Sequence, residues 1–175
     1  MFRPQSDFLP VEYRYKYIDG VEDLSRYRPG GYHPVTVGDV FVNRYHVVDK
    51  LGYGGYSTVW LARDTHQECY VAVKVGTAGS LLHEVKTLRA LSRPKLSNET
   101  TRRGGSLIPH VLDEFELRGP NGSHPCYTMP AARCDLQEIS YSCLFPLEVA
   151  RAISGKLILA TAYVHSQGYV HGGSS

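Results

Sequence analysis

The stretch LGYGGYSTVWLARDTHQECYVAVKV, residues 51–75, decides how the whole chain reads. It opens on Gly52-Tyr53-Gly54-Gly55-Tyr56-Ser57, a GxGxxG frame with Ser57 in the last place. Glycines in such a frame let backbone amides approach phosphate oxygens, and they serve a tight turn equally well. A dinucleotide-binding loop of this frame leads into a helix and has an acidic residue about 20 positions on for the ribose. Here the loop leads instead into Thr58-Val59-Trp60-Leu61-Ala62-Arg63, which alternates like a strand. The next apolar run carries Lys74 among Val71, Ala72, Val73 and Val75. A lysine so placed is either an edge charge reaching solvent or a cation held ready for an anion.

Outward from this stretch, residues 45–51, 58–63 and 70–75 predict three short strands in an antiparallel meander. Ser80 is placed to cap a helix running to residue 91, with Leu81, Val85, Leu88 and Leu91 on one face. The polar run SRPKLSNETTRRGGS, residues 92–106, predicts a mobile link. IPHVLDEFEL and CYTM then predict two more strands joined by a turn at residues 118–122, giving five strands and one helix. Pro146 suits a helix's first turn, Val149, Ala150, Ile153, Leu157, Ala160 and Val164 mark a buried stripe, and Gly168 supplies the C-terminal cap. Ahead of all this, residues 1–44 are a Tyr/Pro/Gly-rich extended lead-in expected to pack on the domain that follows. The fold class expected is α+β: a five-stranded antiparallel sheet with one helix over residues 45–132, and the start of a helical layer over residues 133–175.

Composition narrows the function classes. The chain has 175 residues, and its 19 basic and 17 acidic residues leave a formal charge of +2, which is no field to draw nucleic acid or an anionic membrane. Cys69, Cys126, Cys134 and Cys143 form no CxxC pair, so buried free thiols in a reducing compartment are expected rather than a zinc site. The first residues have no signal-peptide pattern and no apolar run spans a bilayer, which predicts an intracellular protein, in the cytoplasm, the nucleus or both. In such a compartment Asn98-Glu99-Thr100 and Asn121-Gly122-Ser123 are turn sequences, not glycosylation sites.

A glycine loop between two strands, Lys74 on the third strand and Glu84 on the following helix resemble the nucleotide site of eukaryotic protein kinases. The segment YRPGGYHPVTVGDVFVNRYHVVDKLGYGGYSTVWLARD looks like the SR-protein kinases in particular, fungal members included, and DEFELRGPNGSHPC resembles the same group. The expected architecture is then a kinase N-lobe and hinge followed by the first helices of an incomplete C-lobe. The resemblance implies that Leu51, Gly52, Tyr53, Gly54, Gly55, Tyr56, Ser57 and Val59 cover the phosphates of ATP. It further implies that Lys74 holds the α- and β-phosphates while paired to Glu84, and that Val59 and Ala72 line the adenine slot. Met129 takes the gatekeeper place, and residues 130–132, with Ala132, form the hinge. Core filling explains Met129 and Cys126 equally well.

Two departures from the family pattern stand out. Only residues 75–83 separate Lys74 from Glu84, a short interval that puts their ion pair in question. And AYVHSQGYVHGGSS resembles the run into the catalytic loop but has Gly173 where the catalytic aspartate is expected. The resemblance thus implies ATP and, for the family, magnesium, whose ligands are not in this sequence. It also implies Arg/Ser-rich protein substrates in mRNA splicing. It leads us to expect a chain truncated before the catalytic loop and inactive on its own. The alternatives are a non-catalytic pseudokinase that binds nucleotide or a partner, and an incomplete gene model of a full kinase.

Overall fold

The computed structural model describes residues 21–80, 82–92, 99–132 and 145–170. A two-residue strand β1 (Val40–Phe41) leads into β2 (Tyr45–Gly54), β3 (Ser57–Asp64) and β4 (Cys69–Gly76). Helices α1 (Leu82–Leu91) and α2 (Glu99–Gly105) follow, then β5 (Asp113–Gly119), β6 (Gly122–Pro130) and the long α3 (Leu147–Ser166). All pairings are antiparallel, in the order β1-β2-β3-β4-β6-β5.

Among the described residues the sheet therefore has six strands where the sequence predicts five. The additional one is β1, paired as Val40↔His46 and Phe41↔Tyr45. Two residues are too few to show alternation, and the reversal that makes them pair uses left-handed backbone at Val42 and Asn43. A second correction concerns residues 99–105, expected within a mobile polar link but helical as α2. Its helicity comes from tertiary packing: a Cβ on Gly104 would stand 2.5 Å from Tyr163 Cβ and 2.6 Å from Leu159 O, so only glycine allows α2 so close to α3. An exposed Glu99–Arg103 pair one turn apart adds little.

Strand alternation divides the sheet into two faces. One face buries the core of Tyr45, Val47, Trp60, Ala62, Val71, Val73, Val75 and Cys126, with Phe41 of β1, and Val35, Phe115 and Leu117 pack against it. The opposite face carries the rows Val59–Lys74–Tyr127 and Leu61–Ala72–Met129, which the registers of β3, β4 and β6 align side by side. Arg44 fastens the β2 end of the sheet. Its guanidinium reaches Asp64 at 2.7 and 2.8 Å and Asp113 at 3.1 Å, and Tyr45 donates to Asp113 at 2.6 Å. Arg44, with help from the His66 and Gln67 amides, holds the Asp64 carboxyl down to about 2.

The lead-in packs on the sheet over its described part. Tyr32 is buried, His33 lies against His124 with ring centroids 4.7 Å apart, and buried Glu22 is ion-paired to Lys50 of β2. Other expectations are revised. The stripe on α3 is not buried: Leu157 is 66% exposed, and the residue that α3 does bury is Tyr163, whose hydroxyl donates to Leu91 O of α1. Ser80 donates its hydroxyl to Thr77 O in the turn before α1. Cys69 is exposed, whereas Cys126 is buried and its thiol is pushed up to about 12 by that burial. Leu81, Cys134, Cys143 and Gly173 lie outside the described residues. No helix among the described residues is long and apolar enough to cross a membrane.

Candidate functional site

Three elements meet around Lys74. It sits on β4, on the sheet face opposite the core, between Val59 of β3 and Tyr127 of β6. Its ammonium donates to both oxygens of Glu84 on α1, at 2.6 and 2.8 Å. The short interval before α1 thus does not prevent the pair, because Glu84 lies in the helix's first turn, where it faces β4. Both side chains keep partial access to solvent, 21% for Lys74 and 35% for Glu84. The Tyr127 ring lies 5.9 Å from the Lys74 Nζ, and burial together with the nearby Glu84 carboxylate pushes its phenol above the ordinary range. Behind this pair a cavity of about 300 Å³ opens between α1 and the β5–β6 hairpin, lined by Val85, Glu114, Pro125 and Tyr127 among others.

The glycine hairpin stands next to this cation. Register brings Gly52 opposite Val59, in the row that continues to Lys74, after an irregularity in β2 between Lys50 and Gly52. Gly54 pairs Ser57 across the turn formed by Gly55 and Tyr56, whose ring is largely exposed. Leu51 and Tyr53 are exposed too. Neither φ nor packing requires glycine here: Gly52, Gly54 and Gly55 avoid the left-handed region, and a Cβ on any of them would meet nothing within 4 Å. Gly31 and Gly122 are different. A Cβ on Gly31 would lie 1.9 Å from Arg26 O, and Gly122 has φ +127°. The glycines of the hairpin leave open space, which is what a close-approaching anion needs.

Ala72 is buried and pairs with Met129 of β6; Met129 is half-buried, and Ala132 lies exposed just beyond β6. The structure thus brings Gly52, Val59, Lys74 and Glu84 together, with Ala72 and Met129 in the adjoining row. Asp113 is engaged by Arg44 and Tyr45, and Glu114 by Arg89 at 2.6 Å. Missed at the sequence level were Tyr32 and Arg26, which reach the hairpin from the lead-in: Tyr32 Oη donates to Gly54 O at 2.8 Å, and the Arg26 guanidinium donates to Gly55 O. The aromatic and basic residues of YRPGGYHP offered a signal, but nothing local indicates which strand they meet.

No protein-family model matches the chain. It is similar to a serine/threonine protein kinase of Aspergillus fumigatus, 33% identical over 95% of this chain and 44% of that protein. It is 37% identical to the serine/threonine-protein kinase spk-1 of Caenorhabditis elegans over 86% of this chain and 16% of that protein. Against human SRSF protein kinase 3 it is 41% identical over 62% of this chain and 19% of that protein. The chain therefore spans less than half the length of each. Spread over most of the present sequence, these likenesses identify the chain as a homologue of the serine/threonine kinases of the SR-protein-kinase type.

Proposed function

We propose that the Lys74 face and the glycine hairpin hold ATP, as the nucleotide-binding part of a serine/threonine kinase of the SR-protein-kinase type. The observation that carries this reading is the two-oxygen contact of Glu84 with the Lys74 ammonium. An ammonium steered by a carboxylate on a separate helix is held at one point in space, where it meets phosphate oxygens at little reorganisation cost. The open space over Gly52, Gly54 and Gly55 supports it, as does the apolar row of Leu61, Ala72 and Met129 for a purine ring.

In this reading Lys74 neutralises the α- and β-phosphates, Glu84 orients Lys74, and the hairpin amides cover the phosphates. Val59 and Ala72 contact adenine, Met129 bounds the slot, and Ala132 belongs to the hinge segment. The acceptors are serines of Arg/Ser-rich proteins, in keeping with the kinases this chain resembles. Among the described residues no group of three or more His, Cys, Asp or Glu side chains is placed to hold a metal ion, and on the Lys74 face the Glu84 carboxylate is engaged by Lys74. The proposed task of the described residues is thus to hold and orient the nucleotide. Position 173, where the resemblance expects a base for the acceptor hydroxyl, lies outside them.

Calorimetric titration of the chain with ATP tests the reading. Lys74→Ala removes a charge-assisted contact worth about 1.5–3 kcal/mol, or roughly ten- to hundredfold in Kd. Equal ATP binding by the Lys74→Ala variant would place the nucleotide elsewhere.

A further inference from the structure

We propose that Tyr32 and Arg26 are positioning residues for the phosphates: by holding the Gly54 and Gly55 carbonyls from the lead-in, they aim the Gly55 and Tyr56 amides as anion donors. This rests on the ATP reading above and extends it to a segment outside the strands.

The geometry is that of the planar trans peptide, in which carbonyl and following N–H point in opposite directions. No described peptide is cis. Tyr32 Oη donates to Gly54 O at 2.8 Å, which turns the Gly55 N–H away from Tyr32. The Arg26 guanidinium donates to Gly55 O, which turns the Tyr56 N–H away from Arg26. The next carbonyl along, Tyr56 O, accepts the Thr77 N–H at 2.9 Å. Three successive carbonyls at the tip are therefore held, and a hairpin with open glycines is confined to one presentation of its amides. Holding the amides before the anion arrives lowers the ordering cost of binding it.

Tyr32 and Arg26 act from a fixed base. Tyr32 N–H donates to Arg26 O at 2.9 Å, and the Arg26 guanidinium lies 4.7 Å from the Tyr32 ring centroid. The tight closure between them depends on Gly31, where a Cβ would collide with Arg26 O. Asn121 Nδ2 donates to Tyr32 O at 2.6 Å, Gly30 N–H donates to Asn121 O at 2.9 Å, and Ala78 N–H donates to Gly31 O at 3.1 Å. The lead-in is thereby tied both to the β5–β6 turn and to the turn after β4.

The test titrates the 175-residue chain and its Tyr32→Phe, Arg26→Ala and Arg26→Lys variants with ATP and with adenosine, and records a thermal melt of each. Tyr32→Phe keeps the buried ring and loses one hydrogen bond, so ATP Kd rises about three- to tenfold while adenosine Kd is unchanged. Arg26→Ala raises ATP Kd by a similar or larger factor, and Arg26→Lys recovers part of it. Parallel weakening of ATP and adenosine, or no change in either, overturns the positioning role and leaves the two residues as supports of the fold. If Tyr32→Phe lowers the melting temperature too far to be titrated, the Arg26 pair decides alone, since that side chain lies at the surface. Failure of the parent reading is distinguishable: the unmodified chain would then bind ATP no better than Lys74→Ala, and the positioning role would fall with it.

Discussion

The glycine hairpin and α3 both carry exposed side chains, and they are exposed for opposite reasons. The hairpin shows open space over its glycines, yet its carbonyls are held by Tyr32, Arg26 and Thr77. Helix α3 has its backbone bonds internally, yet Leu157 and Ile158 stand 66% and 67% exposed, and its one buried side chain is Tyr163. Polar groups fixed in a defined direction suit the hairpin to a small charged ligand. Uncovered apolar side chains suit α3 to packing against more protein. Exposure alone does not mark a ligand site; what holds the exposed groups decides.

The largest test of this contrast is Gly31→Ala. A Cβ there meets the Arg26 carbonyl at 1.9 Å, and the backbone must move. A loss of about 3 kcal/mol in urea unfolding is expected, from overpacking together with release of the Tyr32 contacts. Loss of ATP binding should accompany it. An unchanged urea midpoint would show that the lead-in is dispensable to the sheet.

Asp64→Asn ranks next. It removes the buried partner of Arg44 while Asp113 still compensates part of the charge, which costs about 2 kcal/mol. The same group sets an acid dependence. Because the folded carboxyl is held at about 2 and an unfolded aspartate titrates near 4, its contribution is present above about pH 4 and is lost as pH falls toward 2. Urea midpoints at pH 7 and pH 3 should fall less in Asp64→Asn than in the unmodified chain. Parallel losses would place the acid sensitivity elsewhere.

On the helical side, Gly104→Ala should cost about 1–2 kcal/mol by forcing α2 away from Tyr163 and Leu159. Amide exchange should quicken in α2 and α3 and leave β3 and β4 as slow as before. The smallest effect on stability is expected for Leu157→Gln, within about 0.5 kcal/mol because that side chain buries little. Size-exclusion chromatography should nonetheless show less self-association than in the unmodified chain. An unchanged elution profile would contradict the packing role given to this face.

How much of this was legible beforehand follows the same division. Alternation and glycine placement outlined β2, β3, β4, β5 and β6, because these are signals written into neighbouring residues; the pairing of Lys74 with Glu84 was implied by the family resemblance alone, and their short spacing argued against it. Strand β1 escaped notice because two residues carry no period, and α2 because its glycines oppose helix formation until α3 is present. On α3 the helical stripe was visible, but not its burial; Tyr163, the side chain that meets α1, looked like any aromatic near a helix end. The bonds from Tyr32 and Arg26 to the hairpin span 22 and 29 residues, and no local pattern encodes such pairings.

The most direct measurement is a proton–nitrogen correlation spectrum of the labelled chain recorded with increasing ATP. The Gly55 and Tyr56 amide resonances should move most, Lys74→Ala should demand roughly ten- to hundredfold more ATP for the same movement, and the amides of α3 should stay in place. Shifts centred on α3, or a hairpin whose amides ignore ATP while other residues respond, would contradict the ATP reading.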